Sequence, residues 1–85
     1  MQAQLDTVVS GNTMGMVQPS GIAIDATHIF VSDFSTGRIW AFTKSGTMVD
    51  YLETGRTGIA GMAFDSSGNL FVADRNRQEI FKISP

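Results

Sequence analysis

The 85-residue chain contains no cysteine, which excludes disulfide bonds and thiolate metal sites, and its single histidine is too few for a histidine-rich zinc site. Charged residues make up only 16% of the chain, and the net charge is −2. A basic face of the kind that binds nucleic acid is therefore not expected. No apolar run approaches the ~20 residues of a membrane span, and the first residues lack the pattern of a signal peptide. We expect neither a nucleic-acid nor a membrane partner, and the compartment stays unknown.

Helical periodicity is also missing. No stretch repeats apolar residues every 3.6 positions over three turns. The chain instead has short apolar runs, rich in Ile, Val and Phe, that are separated by Gly, Ser, Asn and Asp. Runs of this length and composition are typical of β-strands bounded by turns. The sequence therefore predicts an all-β fold.

The clearest positive feature is an internal repeat. Residues 20–42 recur in residues 60–83 with one extra residue in the second copy, and the period of about 40 residues is the range of β-propeller blades. The matched pairs are Gly21 and Gly61, Asp25 and Asp65, Phe30 and Phe71, Val31 and Val72, Asp33 and Asp74, Ile39 and Ile80, and Trp40 and Phe81.

Each copy predicts the same series of strands. The expected strands span residues 22–24, 29–32, 38–42 and 48–53 in the first copy, and residues 62–64, 70–73 and 79–83 in the second. Residues 5–10 are expected to be a copy of the fourth strand, with Gly11 in the role of Gly55. We therefore divide the chain into a closing strand (1–11), one complete blade (12–55) and a second blade that lacks its outer strand (56–85). The closing strand is expected to complete the second blade of a neighbouring copy, beside residues 81–83.

The motifs resemble the NHL repeat. The first copy contributes Pro19, the segments 21–25 and 30–33, and Arg38-Ile39-Trp40-Ala41-Phe42, and the second contributes 61–65, 68–74 and 80–83. The sequence departs from the family pattern where Phe30 and Phe71 stand in place of Tyr, and where Glu79 stands in the place of Arg38. The resemblance implies two four-stranded antiparallel blades of a propeller.

Two blades cannot close a ring, because propellers need about four to eight. NHL propellers typically have six, so three copies of the chain would supply a full set, and we expect a homotrimer. The alternative is that the sequence is a piece of a longer propeller whose flanking blades cover the same surfaces. Apolar residues on the strands are expected to form the interface: Leu5, Val8, Val9, Trp40, Phe42, Phe81 and Ile83.

The acidic residues at strand ends are the candidates for chemistry. Asp25, Asp33, Asp65 and Asp74 could hold a cation such as Ca²⁺. Their repetition at equivalent sites instead favours capping of turns, since Asp accepts hydrogen bonds from turn N–H groups. His28 is interpreted as a turn residue, and Arg38, Arg56, Arg75 and Arg77 as a solvated rim.

No catalytic triad, phosphate loop or metal-binding pattern occurs in the sequence. We therefore expect a non-enzymatic scaffold that oligomerises and binds a protein or peptide, without a cofactor. Two alternatives are a fragment of a Ca²⁺-dependent propeller hydrolase or lyase and, less favoured by the charge, an RNA-binding NHL domain. These expectations rest on analogy of fold.

Overall fold

The computed structural model describes residues 3–11 and 14–85, and the extended elements that it contains are β-strands. Within these described ranges, seven strands form two antiparallel sheets, and the expectation of an all-β fold is confirmed. The first sheet has the order β1-β2-β3-β4 and the second the order β5-β6-β7. The strands are β1 (Pro19–Ile24), β2 (His28–Asp33), β3 (Arg38–Thr43), β4 (Met48–Glu53), β5 (Ile59–Phe64), β6 (Leu70–Asp74) and β7 (Glu79–Ile83).

The N-terminal segment, residues 3–11, belongs to neither sheet. Its expected role as a closing strand concerned pairing with another chain and stays a prediction. The expected segments 1–11 and 12–55 also include residues 1, 2, 12 and 13, which lie outside the described residues. None of the described part of the chain forms a helix that is long and apolar enough to cross a membrane.

The first sheet is apolar on both faces. Residues directly opposite one another on neighbouring strands share a face, and the register pairs Val31 with both Ile22 and Trp40. The outer face of the first sheet is thus formed by Ile22, Ile24, Ile29, Val31, Trp40 and Phe42. The inner face of the first sheet is formed by the alternate residues Ala23, Phe30, Ile39, Ala41 and Leu52.

The second sheet shows the same alternation. Its register pairs Val72 with Met62 and Phe81, and Phe71 with Ala63 and Lys82. The inner face of the second sheet is therefore formed by Met62, Phe64, Leu70, Val72, Phe81 and Ile83. The outer face of the second sheet is formed by Gly61, Ala63, Phe71, Ala73, Ile80 and Lys82.

The two inner faces pack against each other and form the core. Five buried residues are at its centre: Ala23, Ile39, Ile59, Leu70 and Val72. The ring of Phe30 meets the ring of Phe64 edge-on, with centroids 5.3 Å apart. Burying each large aliphatic side chain stabilises the fold by roughly 1.5–3 kcal/mol, so this contact holds the sheets together.

A close backbone approach between β1 and β5 sets the distance between the sheets. A Cβ at Gly21 would lie far inside van der Waals contact with the carbonyl oxygen of Ala60. The buried hydroxyl of Ser32 donates to that same carbonyl, and the hydroxyl of Ser20 donates to the carbonyl of Ile59 at 2.9 Å. Glycine is thus required at position 21 because a neighbouring strand occupies the space of a side chain.

Gly21→Ala is therefore expected to destabilise the fold by about 1–3 kcal/mol, the usual cost of forcing extra atoms into a packed site. Gly61→Ala is the matched control, because no described atom lies within 4 Å of a Cβ at that position. Urea unfolding of the single chain, diluted until light scattering gives the mass of one copy, should show a lower midpoint for Gly21→Ala and an unchanged midpoint for Gly61→Ala. Equal effects of the two substitutions would contradict this account of Gly21.

Candidate binding surfaces

The outer face of the first sheet is partly covered by the N-terminal segment. A cavity of about 460 Å³ separates them, lined by Thr7, Val8 and Val9 on one side and by Ile24, Ile29 and Phe42 on the other. Phe42 is fully buried, but Ile24 remains 54% exposed. Part of this apolar face is therefore open to a partner.

The outer face of the second sheet is more open. Ile80 is 77% exposed and Phe71 is 38% exposed. Their neighbours on this face include Gly61, which has no side chain, and Ala63 and Ala73, which have small ones, so the two large side chains protrude. Exposed apolar patches on a sheet are typical of surfaces that contact another protein.

An ion-pair cluster lies beside the turn between β6 and β7. Arg56 Nη1 is 2.9 Å from Glu79 Oε1 and 3.3 Å from the buried Asp74 Oδ2, and its guanidinium lies 4.4 Å from the centroid of the Phe81 ring. The hydrogen bond to Glu79 is the main cause that raises the pKa of Arg56. Arg77 also contacts Asp74, at 3.4 Å. These two arginines are thus held by carboxylates of the same chain.

The first sheet carries a simpler version of this cluster. Arg38 Nε is 3.0 Å from Glu53 Oε1, and the guanidinium lies 4.6 Å from the Tyr51 ring centroid and 5.5 Å from that of Trp40. Glu79 occupies the place of Arg38 in the second copy of the repeat. Arg56, which precedes β5, supplies the guanidinium that the second copy would otherwise lack.

The two buried carboxylates at the ends of β2 and β6 organise the loops around them. Asp33 accepts hydrogen bonds from the backbone N–H groups of Val17 and Gln18 at 2.9 and 3.0 Å. Burial alone would raise the pKa of Asp33, but these bonds lower it below its ordinary 3.8. Burial would also raise the pKa of Asp74. The backbone N–H of Arg77 and the guanidinium groups of Arg56 and Arg77 outweigh this effect and lower that pKa. Both carboxylates therefore stay charged at neutral pH.

Asp25 and Asp65 cap the turns at the opposite ends of the sheets. Asp25 accepts from the backbone N–H groups of Thr27 and His28, which lower its pKa. Asp65 accepts from the side chain and the backbone of Asn69, and these bonds lower its pKa. The carboxylate oxygens of the four candidate metal ligands are therefore directed to N–H donors of nearby loops.

Within the described ranges, no group of three or more His, Cys, Asp or Glu side chains is arranged to hold a metal ion. His28 begins β2, and its Nδ1 is 2.7 Å from the hydroxyl of Thr27. Its ring also lies 6.2 Å from that of Phe30. The one histidine of the sequence thus contacts its own strand and turn.

The residues expected at an interface are distributed over three locations. Leu5 is 93% exposed, while Val8 and Val9 lie over the outer face of the first sheet. Trp40 and Phe42 are buried on that outer face. The remaining two, Phe81 and Ile83, pack between the sheets of the same chain. Contact between chains at these residues stays a prediction.

Some important residues escaped the sequence analysis. The Ser32 hydroxyl bond to Ala60 joins residues 28 positions apart, and no local pattern indicates it. The contacts of Arg56 with Asp74, Glu79 and Phe81 also depend on tertiary proximity. Ile80 and Phe71 could have been found, because they repeat Ile39 and Phe30 on strands whose alternation is clear.

No family model matches the chain, and no curated protein shows significant sequence similarity to it.

The lowered pKa values predict a loss of stability in acid. A carboxyl group whose pKa is lower in the folded state stabilises the fold above its ordinary pKa and loses that contribution as the pH falls through the folded value. The free energy of unfolding, measured by urea titration, should therefore fall below about pH 4. Asp33→Asn should cost about 1–3 kcal/mol at pH 7, and both Asp33→Asn and Asp74→Asn should reduce the acid-dependent fall.

Asp50→Asn, on the exposed strand β4, is the matched control and should change the stability at pH 7 little. An acid-dependent fall in Asp33→Asn and Asp74→Asn as large as in the unmodified chain would contradict the role assigned to these two carboxylates.

Proposed function

We propose that the chain is a non-enzymatic β-propeller module of the NHL type that associates with itself and presents its loops to a protein or peptide. The observation that carries this proposal is the pair of apolar outer faces, one on each sheet. In each sheet, both faces carry large apolar side chains, as in a propeller blade that packs against two neighbours. An isolated chain leaves Ile22, Ile24, Phe71 and Ile80 at least partly in water.

The antiparallel order of the strands supports the propeller interpretation. Each sheet is a simple meander in which consecutive strands are neighbours, and the two sheets pack face to face. The resemblance to NHL repeats implies a six-bladed ring, which three copies of this chain would complete. Three strands in the second sheet leave one edge for a further strand, as the proposed assembly requires.

The polar loops are the surface proposed for a ligand. Arg75 and Gln78 lie exposed in the turn between β6 and β7, and Gln78 has a positive φ of 55°. Loops on a rigid scaffold commonly carry recognition. Since Arg38, Arg56 and Arg77 are already paired with carboxylates, these loops favour a protein or peptide over a nucleic acid.

Light scattering on a size-exclusion column tests the self-association directly. We expect a uniform particle with three times the chain mass of 9.2 kDa. The physical reason is that each copy covers two apolar faces by joining a closed ring, and covering several hundred Å² is worth many kcal/mol at ~25 cal/mol per Å². A single-chain mass at all concentrations would contradict self-association.

A second prediction separates a scaffold from a metal-dependent hydrolase or lyase. EDTA and added Ca²⁺ should leave the melting temperature unchanged, because the candidate carboxylates already accept hydrogen bonds from loop N–H groups. Ester and lactone substrates should show no saturable turnover. A rise of the melting temperature with Ca²⁺, together with turnover that EDTA abolishes, would favour the enzyme instead.

A further inference from the structure

The contact between the two sheets of the chain has an equivalent that can form between two copies of the chain. Within the chain, Phe30 and Ile39 of the first sheet pack against the inner face of the second sheet. The repeat places Phe71 and Ile80 at the equivalent positions of the second sheet. These two side chains are exposed on its outer face, where no third sheet lies among the described residues.

The chain also carries an equivalent of the surface that receives Phe30 and Ile39. On the second sheet, Phe64, Leu70 and Ile83 form the surface that receives Phe30 and Ile39. Their equivalents on the first sheet are Ile24, Ile29 and Phe42, all of which belong to its outer face. The outer faces of the two sheets lie on opposite sides of the stack that the sheets form, so these two faces cannot contact each other within one chain. A second copy carries both complementary surfaces.

The N-terminal segment occupies the position that this contact would require. Within the chain, Tyr51 and Leu52 of β4 line a cavity of about 210 Å³ with Leu70 and Ile83 of the second sheet. When Gly11 is aligned with Gly55, Thr7 and Val8 correspond to these two β4 residues. The structure places them over Ile29 and Phe42, the equivalents of Leu70 and Ile83. The segment thus lies over the first sheet as β4 lies over the second.

The larger cavity lacks residues on one side that is closed in the smaller cavity. The smaller cavity is completed by Phe30, Ile39 and Ala41 of the first sheet. The larger one, about 460 Å³, has no counterpart to these residues among its lining side chains. Their equivalents in the repeat are Phe71, Ile80 and Lys82, on the outer face of the second sheet. In a second copy, that face would close the open side of the larger cavity.

Two further details fit the same arrangement. Gly21 allows β5 to approach β1, and its equivalent Gly61 has free space where a neighbouring strand would pass. Across β3 and β4, Ala41 pairs with Asp50. The equivalent pair between copies is Lys82 and Asp6, whose charges are opposite. Opposite charges directly across a strand pair stabilise the pairing.

We propose that the outer face of the second sheet of one copy docks on the outer face of the first sheet of another, with β7 pairing along residues 5–10 of that copy. The inference rests on the proposed self-association and specifies which surfaces perform it. Such a contact is head-to-tail, since it joins two different surfaces. Each added copy leaves one surface of each kind free until a ring closes.

Complementation between two blocked variants of the full chain tests the proposal. Ile24→Glu places a charge on the first-sheet surface, and Ile80→Glu places one on the second-sheet surface. Both side chains are more than half exposed in the single chain, so each variant should keep its fold, as circular dichroism would verify. Ala26→Glu, in the exposed turn between β1 and β2, is the matched control.

Each blocked variant alone should have the mass of one chain, while Ala26→Glu should associate as the unmodified chain does. A mixture of the two blocked variants should form a one-to-one dimer, because one intact surface of each kind remains. Ile80→Glu that still forms the unmodified assembly would overturn the inference and leave self-association standing. An unmodified chain that stays single at all concentrations would overturn both.

The charge pair tests the register of the strand pairing. Asp6→Lys and Lys82→Asp should each weaken association several-fold, because each change brings like charges together. The variant with both substitutions should recover most of the lost affinity, because the opposite charges are restored in exchanged positions. Additive losses in the variant with both substitutions would overturn the proposed pairing of β7 with residues 5–10.

Discussion

The close approach of β1 to β5 holds the two sheets of this chain in contact. The absence of a side chain at Gly21 lets the Ala60 carbonyl come close, and the Ser32 hydroxyl holds that carbonyl from the buried side. The approach brings the inner faces of the two sheets into contact and so creates the core. Without this contact, a four-stranded sheet and a three-stranded sheet would each be only marginally stable, because an isolated antiparallel sheet needs a packed face for stability.

The few charges of the chain serve mostly to organise its loops. Asp33 and Asp74 are fully buried. Asp33 accepts hydrogen bonds from the backbone N–H groups of Val17 and Gln18, and Asp74 accepts one from the backbone N–H of Arg77 and also contacts two arginine side chains. A buried carboxylate is tolerated only with such partners. The electrostatics therefore support a structural role for these aspartates, and they direct attention away from chemistry and toward the apolar faces. The proposed propeller module is consistent with this division of labour.

Much of the fold could be predicted from residue pattern. The expected strand at residues 48–53 coincides with β4, and the expected strand at 79–83 coincides with β7, because alternation and turn residues mark both strands clearly. The capping roles of Asp25 and Asp65 were also the favoured interpretation, and their hydrogen bonds agree with it. The surfaces through which the sheets pack were harder to predict. Within one chain, Phe81 and Ile83 pack between the two sheets. The sequence predicts these two residues at a contact between chains, and that contact stays a prediction.

The amino-acid sequence alone is sufficient to predict the period of the repeat, most of the strands and turns, and the apolar character of both faces of each sheet. These features follow from local spacing, since side chains alternate across a strand and turns require residues such as Gly and Asp. The choice of which face of one sheet packs against which face of the other is visible in the three-dimensional fold and not in the sequence. That choice depends on contacts between distant residues, such as Ser32 with Ala60 and Arg56 with Glu79. Ile80 and Phe71 stay exposed because, in the part of the chain that the structure describes, each sheet has one neighbouring sheet to cover its two apolar faces.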